Sequence, residues 1–188
     1  MNLKNLINKI QERQLETFQL VSEFQDWKKT PNLQTKRRGL YWIWTNHSSE
    51  SLQTILTKAG TKEVPITELV TRRHQLENIC KVSINGYKIV YNGIGGYIKE
   101  PPAFGLRERI NQELNCNDKR TGTLNIINRF NDYNSLDNWG VSYFDFDDPK
   151  NQEILKLLPY EKNFYLEHAK NLEVDWRIEY GIPILTRH

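Results

Sequence analysis

Two arginines near the start of a predicted helix are the residues best suited to bind phosphate in this chain. Residues 87–96 read as a β-strand that ends at glycines, and a proline-containing loop leads to a helix over about 105–114. Arg107 and Arg109 lie in the first turns of that helix. A guanidinium presents N–H donors in a rigid fork, and the first backbone N–H groups of a helix lack partners within the helix. This stretch therefore predicts a phosphate-binding site.

The segments that must position these arginines have the pattern of an α+β protein. The strand-like segments, rich in β-branched and aromatic residues, are 39–44, 79–84, 87–91 and 139–146. Asn85-Gly86 predicts a two-residue hairpin turn, because both positions tolerate positive φ. Segments with apolar residues at helical spacing are about 2–29, 46–79, 105–114, and the tail from 150 to 180. We predict an α+β fold with a small central mixed or antiparallel three-stranded sheet flanked by helices.

Length and composition narrow the class of protein. The 188 residues predict one domain, 1–188, with an N-terminal helical extension at 1–30 and a helical insertion at 46–80. No apolar run approaches the ~20 residues of a membrane span, so no membrane partner is expected. Cys80 and Cys116 imply no disulfide framework, which favours a cytoplasmic location. The net charge of +3 decides little about partners.

The order of short motifs along the chain resembles the GIY-YIG nuclease superfamily. Gly39-Leu40-Tyr41 matches the first half of its signature, and Tyr91-Asn92-Gly93 matches the second half. Residues 106–110, Leu-Arg-Glu-Arg-Ile, are similar to the arginine helix of the family. Residues 173–183 are similar to its late helix, which carries a metal-binding glutamate before a proline. The chain departs from the family in the wide separation of the two signature halves and in the asparagine of the second half.

The resemblance implies a metal-dependent DNA endonuclease, most like a type II restriction enzyme. The catalytic residues that it implies are Tyr41, Tyr91, Arg109 and Glu173. It implies that Glu173 binds Mg²⁺ or Mn²⁺. Glu161 and Glu167 lie on the same predicted helical tail, so the sequence leaves the choice of metal ligand open among the three glutamates.

Phosphodiester hydrolysis requires the side-chain types found at these positions. The reaction needs an oriented water, compensation for charge on the phosphate, and help for the leaving oxygen. Tyr41 would orient or deprotonate water, although a phenol has an ordinary pKa of ~10. Arg109 would bind phosphate oxygens, Glu173 would hold the metal, and Tyr91 would hydrogen-bond the phosphate or the water.

Each of these residues also has a structural interpretation. Tyr41 and Tyr91 are typical of aromatic residues that pack in the core beside a strand. Arg109 and Glu113 are four residues apart, the spacing at which opposite charges pair on a helix. The sequence leaves these alternatives open.

The helical insertion at 46–80 is a candidate DNA-recognition element. A helix carrying Arg72, Arg73 and Gln75 has side chains that read guanine and adenine in a major groove. The predicted DNA-binding residues are Arg72, Arg73, His74, Lys99 and Arg107. Double-stranded DNA is therefore the expected partner, and a palindromic target would favour a homodimer.

Two other functions fit the same motifs. One is a DNA-repair or mobile-element nuclease that uses the same catalytic residues. The other is a catalytically inactive nucleic-acid-binding protein on the same scaffold. Recognition sequence, cut pattern and oligomeric state do not follow from these patterns.

Overall fold

An antiparallel β-sheet forms the centre of the protein. The computed structural model describes residues 2–23, 33–57, 62–96, 104–115, 122–130, 136–156 and 166–187. The strands are β1 (Gln19–Leu20), β2 (Gly39–Thr45), β3 (Ser83–Ile84), β4 (Tyr87–Gly95) and β5 (Trp139–Asp145). They lie in the order β1-β5-β2-β4-β3, and each neighbouring pair is antiparallel. With helices packed on this sheet, the predicted α+β class is confirmed.

The prediction of three strands is wrong, because the sheet has five. β2, β4 and β5 are the long strands, and a two-residue strand is added at each edge. β1 lies in the segment predicted to be helical, where Gln19 pairs with Val141 and Leu20 pairs with Gly140. Backbone groups along the edge of β5 gain hydrogen-bond partners in this way. Hydrogen bonding to β5 therefore favours a strand at residues 19–20, although the apolar residues of this segment have helical spacing.

The helices among the described residues differ in length from the predicted segments. They are α1 (Leu3–Leu15), α2 (Ser49–Gln53), α3 (Ile66–Arg73), α4 (Leu106–Asn115), α5 (Ile126–Arg129), α6 (Pro149–Leu155) and α7 (Leu166–Tyr180). In the N-terminal extension, α1 ends at Leu15 and β1 follows it. A short 3-10 turn at Val21–Glu23 comes after β1. Residues 24–30 of that predicted extension lie outside the described residues. None of the described helices is long and apolar enough to cross a membrane.

β2 is buried along its whole length because helices cover both faces of the sheet. Leu40, Trp42 and Trp44 share one core with side chains of α1 and α7. Tyr41 and Ile43 point to the opposite face, where α3 and α4 contribute to a second core. β2 therefore carries its alternate residues into two separate cores, and Tyr41 belongs to the core that contains α4.

β4 continues through glycines that the sequence predicted would end it. The strand runs to Gly95, and the chain turns at Gly96, which has a φ of 87°. Asn85 and Gly86 have φ values of 49° and 86°, so the predicted hairpin turn is confirmed. Extension of β4 to Gly95 gives β2 a partner along its whole length, since Gly39 pairs with Gly95.

Candidate functional site

A cavity of about 340 Å³ lies at the edge of β4, between side chains of α4 and α7. We call it the edge cavity. β3 pairs with Tyr87 and Lys88 at the start of β4, and farther along the strand the Leu185 backbone N–H donates to the Val90 carbonyl at 2.8 Å. The polar side chains that line the edge cavity are Tyr41, Tyr91, Asn92, Arg109, Glu173, Arg177, Thr186 and Arg187. All four predicted catalytic side chains thus line one cavity, from β2, β4, α4 and α7.

Strand pairing places the two tyrosines on the same face of the sheet. Tyr41 lies opposite Gly93, and Ile43, two residues after Tyr41 on β2, lies opposite Tyr91, two residues before Gly93 on β4. The ring centroids of Tyr41 and Tyr91 are 6.2 Å apart. Tyr41 is fully buried at the floor of the cavity, whereas Tyr91 is partly exposed. Tyr91 is therefore the more exposed of the two residues.

Glycines on β4 allow the close packing that builds this site. A Cβ atom at Gly93 would lie 2.5 Å from the Tyr41 hydroxyl oxygen. A Cβ atom at Gly95 would lie 2.7 Å from Cα of Leu106 and 3.3 Å from Cγ of Arg109. A larger residue at either position would therefore displace the tyrosine or the arginine helix.

Glu113 forms the base of the site and was predicted only as a partner of Arg109. Its side chain is fully buried, and Oε1 accepts a hydrogen bond from the Tyr41 hydroxyl at 3.0 Å. Oε2 accepts a hydrogen bond from the backbone N–H of Leu124 at 3.1 Å. Its position among Leu106, Ile110 and Leu114 is a signal that the sequence did contain. A glutamate on the apolar face of a helix is rarely buried without a specific partner.

Burial keeps both tyrosines neutral at ordinary pH. It raises the pKa of Tyr41 well above the usual value, and the nearby Glu113 carboxylate raises it further. Burial also raises the pKa of Tyr91, and Glu113 adds to that rise while Arg109 opposes it. A phenolate is therefore disfavoured, and both tyrosines can act only as neutral hydroxyl groups.

Arg109 is held loosely enough to bind an anion. One Nη1–H donates to Oε1 of Gln112 at 2.5 Å, while Nη2 lies 3.8 Å from Oε1 of Glu113. That second distance is too long for a hydrogen bond, so the predicted pair with Glu113 is an electrostatic contact. The side chain is 28% exposed and lines the edge cavity. Its planar fork is therefore available to phosphate oxygens that enter the cavity.

Glu173 lines the edge cavity from α7. Its Oε1 accepts a hydrogen bond from Nη2 of Arg177 at 2.8 Å. Nε of Arg177 donates to Oδ1 of Asn92 at 3.0 Å, and the Thr186 hydroxyl donates to the same oxygen at 3.3 Å. Arg177 is four residues from Glu173, a spacing that would have identified it from the sequence. The arginine thus anchors the glutamate to β4.

The described residues fit a hard divalent cation that keeps most of its own ligands. Burial raises the pKa of Glu173, and Arg177 opposes that rise. No group of three or more His, Cys, Asp or Glu side chains suited to a metal occurs in the described part of the chain. Mg²⁺ commonly binds through one or two carboxylates, with waters and substrate phosphate completing its coordination. Glu173 is therefore the carboxylate at the edge cavity that would hold such an ion.

The competing metal ligands are placed differently from Glu173. Glu167 is exposed in the first turn of α7 and does not line the edge cavity. Glu161 lies outside the described residues, as does Cys116. Of the glutamates that the structure describes on this tail, Glu173 is thus the one that lies at the cavity.

Of the predicted DNA-binding residues, the four that the structure describes do not line the edge cavity. Arg72 is exposed and pairs with Glu68 at 3.1 Å, and the ring of His74 is 3.0 Å from the Val70 carbonyl. Nη1 of Arg73 donates to the carbonyls of Ile184, at 3.2 Å, and Thr186. Nη1 of Arg107 donates to the Leu33 carbonyl at 3.5 Å. Lys99 lies outside the described residues.

These contacts separate the basic residues by their roles. Arg73 braces the C-terminal segment, and Arg107 holds the loop that contains Leu33. Arg72 projects into solvent from the end of α3 and is the one best placed to contact DNA. DNA binding by this group remains a prediction.

Arg187 adds a cation to the cavity that the sequence did not single out. Its Nη2 donates to the carbonyls of Lys62 at 3.0 Å and Glu63 at 2.8 Å. The side chain lines the edge cavity together with Arg109 and Arg177. Arg187 is the second-last residue of the sequence and belongs to no motif that would have indicated this location.

Comparison of the chain with protein-family models, with curated proteins and with solved structures found no match. A function must therefore be argued from the edge cavity and from the order of the motifs that form it. The cavity combines three guanidinium groups, one accessible carboxylate and two tyrosines.

Proposed function

We propose that the protein is a metal-dependent DNA endonuclease of the GIY-YIG type, which hydrolyses phosphodiester bonds in double-stranded DNA. The observation that supports it best is the common location of Tyr41, Tyr91, Arg109 and Glu173. These residues were selected from motifs in separate parts of the sequence. Strand pairing brings the two tyrosines together, whereas Arg109 and Glu173 reach the same cavity from α4 and α7. A shared chemical task would account for that convergence.

The charges of the edge cavity suit a phosphodiester. Arg109, Arg177 and Arg187 contribute positive charge, and Glu173 contributes negative charge beside Arg177. A phosphodiester carries one negative charge on two free oxygens, which a guanidinium can bind through parallel hydrogen bonds. A divalent cation held by Glu173 would add positive charge for the same phosphate.

The hydrolysis requires a bond from a water oxygen to phosphorus and cleavage of one phosphorus–oxygen ester bond. The water loses a proton and the departing sugar oxygen gains one. Arg109 would stabilise the charge that gathers on the phosphate oxygens, and Tyr91 would hydrogen-bond the phosphate or the water. When bound at Glu173, Mg²⁺ or Mn²⁺ would compensate negative charge on the phosphate and the departing oxygen.

A type II restriction enzyme is the biological role that we propose. The insertion between β2 and β4 contains α2 and α3, and α3 ends with the exposed Arg72. An exposed helix end bearing arginine is suited to enter a major groove and read guanine. A palindromic recognition site would then call for a homodimer.

An inactive DNA-binding protein is the second candidate. The Glu173 carboxylate already accepts a hydrogen bond from Arg177 at 2.8 Å, and that contact competes with a metal ion. Under this alternative, the arginines bind DNA phosphates without hydrolysis.

Incubation of the purified protein with plasmid DNA and Mg²⁺ or Mn²⁺ tests these alternatives. Discrete fragments support a restriction enzyme, and cuts that depend on DNA structure support a repair nuclease. DNA binding without cleavage supports the inactive protein. Absence of both binding and cleavage across a varied set of DNA substrates contradicts the proposal. The Arg109→Ala variant, purified in parallel, controls for contaminating nuclease.

A further inference from the structure

Asn92 is a buried polar residue on the face of β4 that packs against α7. It pairs with Trp42, whose ring lies in the core that contains side chains of α7, and it is 3% exposed. It also stands where the GIY-YIG signature has isoleucine. A buried amide is costly unless its polar atoms have hydrogen-bond partners. The partners of Asn92 therefore indicate what asparagine does at a position where an aliphatic side chain would serve the core.

The side-chain oxygen of Asn92 holds one N–H group of Arg177. Oδ1 accepts from Nε of Arg177 at 3.0 Å and from the Thr186 hydroxyl at 3.3 Å. An arginine Nε–H can only donate, so the carbonyl oxygen of the amide, and not its NH₂ group, faces Arg177. The two donors use both lone pairs of that oxygen. Asn92 thus attaches Nε of Arg177 to β4.

The same guanidinium holds only one oxygen of Glu173. Nη2 of Arg177 donates to Oε1 at 2.8 Å. Among the described residues, no group donates to Oε2, and Oε2 is not one of the buried polar atoms that lack a partner. Oε2 therefore keeps contact with solvent, and the Glu173 side chain lines the edge cavity. Glu173 thus has one oxygen bound within the protein and one open to a ligand.

A guanidinium that is not held at Nε is suited to take both oxygens of such a carboxylate. Nε–H and an N–H of Nη2 lie along one edge of the planar group, and this edge matches the two oxygens of a carboxylate. In this protein Nε donates to Asn92, and Nη2 donates to Glu173. The fork of Arg177 is therefore divided between an amide and a carboxylate.

We infer that Asn92 is a positioning residue that divides the fork of Arg177, so that Oε2 of Glu173 stays open to a divalent cation. The inference rests on the proposed nuclease function, in which Glu173 holds that cation. A neutral amide suits this task, because it binds Nε without a negative charge that would draw Arg177 away from Glu173. Mg²⁺ and Mn²⁺ bind carboxylate oxygens, so a second hydrogen bond from Arg177 would compete with them.

An Asn92→Leu substitution nearly keeps the size of the side chain and removes the acceptor. Nε of Arg177 would then turn to Oε2 of Glu173, because a mostly buried N–H without a partner is costly. We expect the Kd for Mn²⁺, measured by calorimetry without DNA, to rise about 10-fold. Cleavage should fall at low Mn²⁺ and recover as Mn²⁺ is raised, since excess metal competes with Arg177 for Glu173. An unchanged Kd in the folded variant overturns the inference.

Asn151→Leu is the matched control. Asn151 is 4% exposed, its Oδ1 accepts from Nε of Arg13 at 3.1 Å, and it does not line the edge cavity. The substitution removes the same kind of hydrogen bond and should lower stability without changing the Kd for Mn²⁺. An equal loss of Mn²⁺ affinity in both variants overturns the inference, because a general loss of stability would then account for it.

Arg177→Leu and the double variant test whether Asn92 acts through Arg177. Without the guanidinium, Asn92→Leu should cause no further change in the Kd for Mn²⁺. A further rise in the double variant contradicts the inference. If Asn92→Leu does not fold, as judged by circular dichroism, Asn92→Ser takes its place, because its oxygen lies one bond closer to the backbone and does not reach Nε. The same rise in Kd is expected, and an unchanged Kd contradicts the inference.

Nuclear magnetic resonance of ¹⁵N-labelled arginine detects the hydrogen bond without metal or DNA. The Nε–H resonance of Arg177, assigned by its loss in Arg177→Leu, should shift in Asn92→Leu and stay in place in Asn151→Leu. An unshifted resonance in Asn92→Leu overturns the inference.

The metal measurements also separate this inference from the nuclease proposal. A wild type that binds Mn²⁺ through Glu173, loses affinity in Asn92→Leu and cleaves no DNA supports the inference and contradicts the nuclease proposal. A wild type that cleaves DNA, with an unchanged Kd in Asn92→Leu, supports the nuclease proposal and overturns the inference. Absence of Mn²⁺ binding by the wild type overturns the inference as well.

Discussion

Two arginine–carboxylate pairs in this protein differ in how closely the partners approach. The backbone N–H of Arg38 donates to Oδ2 of Asp147 at 2.8 Å, and Nη2 of Arg38 donates to Oδ1 at 2.7 Å. Nη2 of Arg109, in contrast, lies 3.8 Å from Oε1 of Glu113. The first pair joins the start of β2 to the chain after β5, whereas the second lies under the edge cavity.

The two carboxyl groups also differ in the direction of their pKa shifts. Burial by itself raises the pKa of Asp147, but hydrogen bonds from Arg38 hold it below the ordinary value. Burial raises the pKa of Glu113, and Arg109 only partly opposes that rise. Close pairing thus stabilises the Asp147 charge and fixes two chain segments. Loose pairing leaves Arg109 able to bind an anion, which is the role that we propose for it, whereas the Arg38 pair is suited to stabilise the fold.

Arg109→Ala should have the largest effect on cleavage. Loss of a charged donor to the phosphate is expected to reduce kcat at least about 10²–10³-fold. The thermal midpoint should change little, because Glu113 keeps its bonds to Tyr41 and Leu124. Plasmid cleavage and circular dichroism measure the two effects. Arg38→Ala is the matched control and should lose stability while its folded form still cuts DNA. Equal cleavage by Arg109→Ala and the wild type would remove Arg109 from the proposed mechanism.

Glu173→Gln should abolish metal-stimulated cleavage, because the amide replaces a charged oxygen ligand with a neutral one. Cleavage should be titrated with Mg²⁺ and Mn²⁺, and metal binding measured by calorimetry. Glu167→Gln, on the same helix but exposed, is the matched control and should retain both activity and metal binding. The assignment of the metal ligand is wrong if Glu167→Gln loses metal binding and Glu173→Gln keeps it.

Asp147→Asn should reduce the free energy of unfolding by about 1–2 kcal/mol, because the hydrogen bonds from Arg38 lose their charged acceptor in a partly exposed setting. Urea denaturation measures this loss, and the rate of DNA cleavage by the folded variant should not change. A stability equal to that of the wild type would show that the Arg38 pair makes no net contribution.

The pH dependence of stability gives this prediction its control. The folded pKa of Asp147 is lowered, so its stabilising contribution is present above the ordinary value of 3.8 and is lost as pH falls through the lowered pKa. The folded pKa of Glu113 is raised, so its contribution is full below 4.5 and is lost as pH rises through the raised pKa. For each variant, the difference in free energy of unfolding from the wild type should therefore depend on pH. That difference should change in opposite directions for Asp147→Asn and Glu113→Gln.

Arg72→Ala should have the narrowest effect, limited to DNA binding. Loss of one exposed arginine is expected to weaken binding of the recognised sequence by about 1–3 kcal/mol if it contacts guanine. Its surface pair with Glu68 contributes little to stability. Arg73→Ala should instead lower stability, because Arg73 donates to the carbonyls of Ile184 and Thr186. Unchanged affinity and sequence preference in Arg72→Ala would remove α3 from DNA recognition.

The elements predicted correctly are those whose signals are local. The strand that begins at Gly39, the Asn85-Gly86 turn and the arginine helix follow from a few neighbouring residues. β1 was missed because its pairing with β5 joins residues 19–20 to residues 140–141, far along the chain. The sequence predicts that β4 breaks at its glycines, but Gly93 and Gly95 remain in the strand and allow the close approach of Tyr41 and α4.

The sequence by itself determined which side chains were candidates for chemistry. Residue type decides whether a group can donate, accept or carry charge, and the motif order selected Tyr41, Tyr91, Arg109 and Glu173. Only the tertiary structure decided their burial and separation, because these depend on how remote segments pack. It made Tyr41 a buried neutral hydroxyl and placed Glu113 beneath it. Neither property follows from the identity of a residue without its neighbours in space.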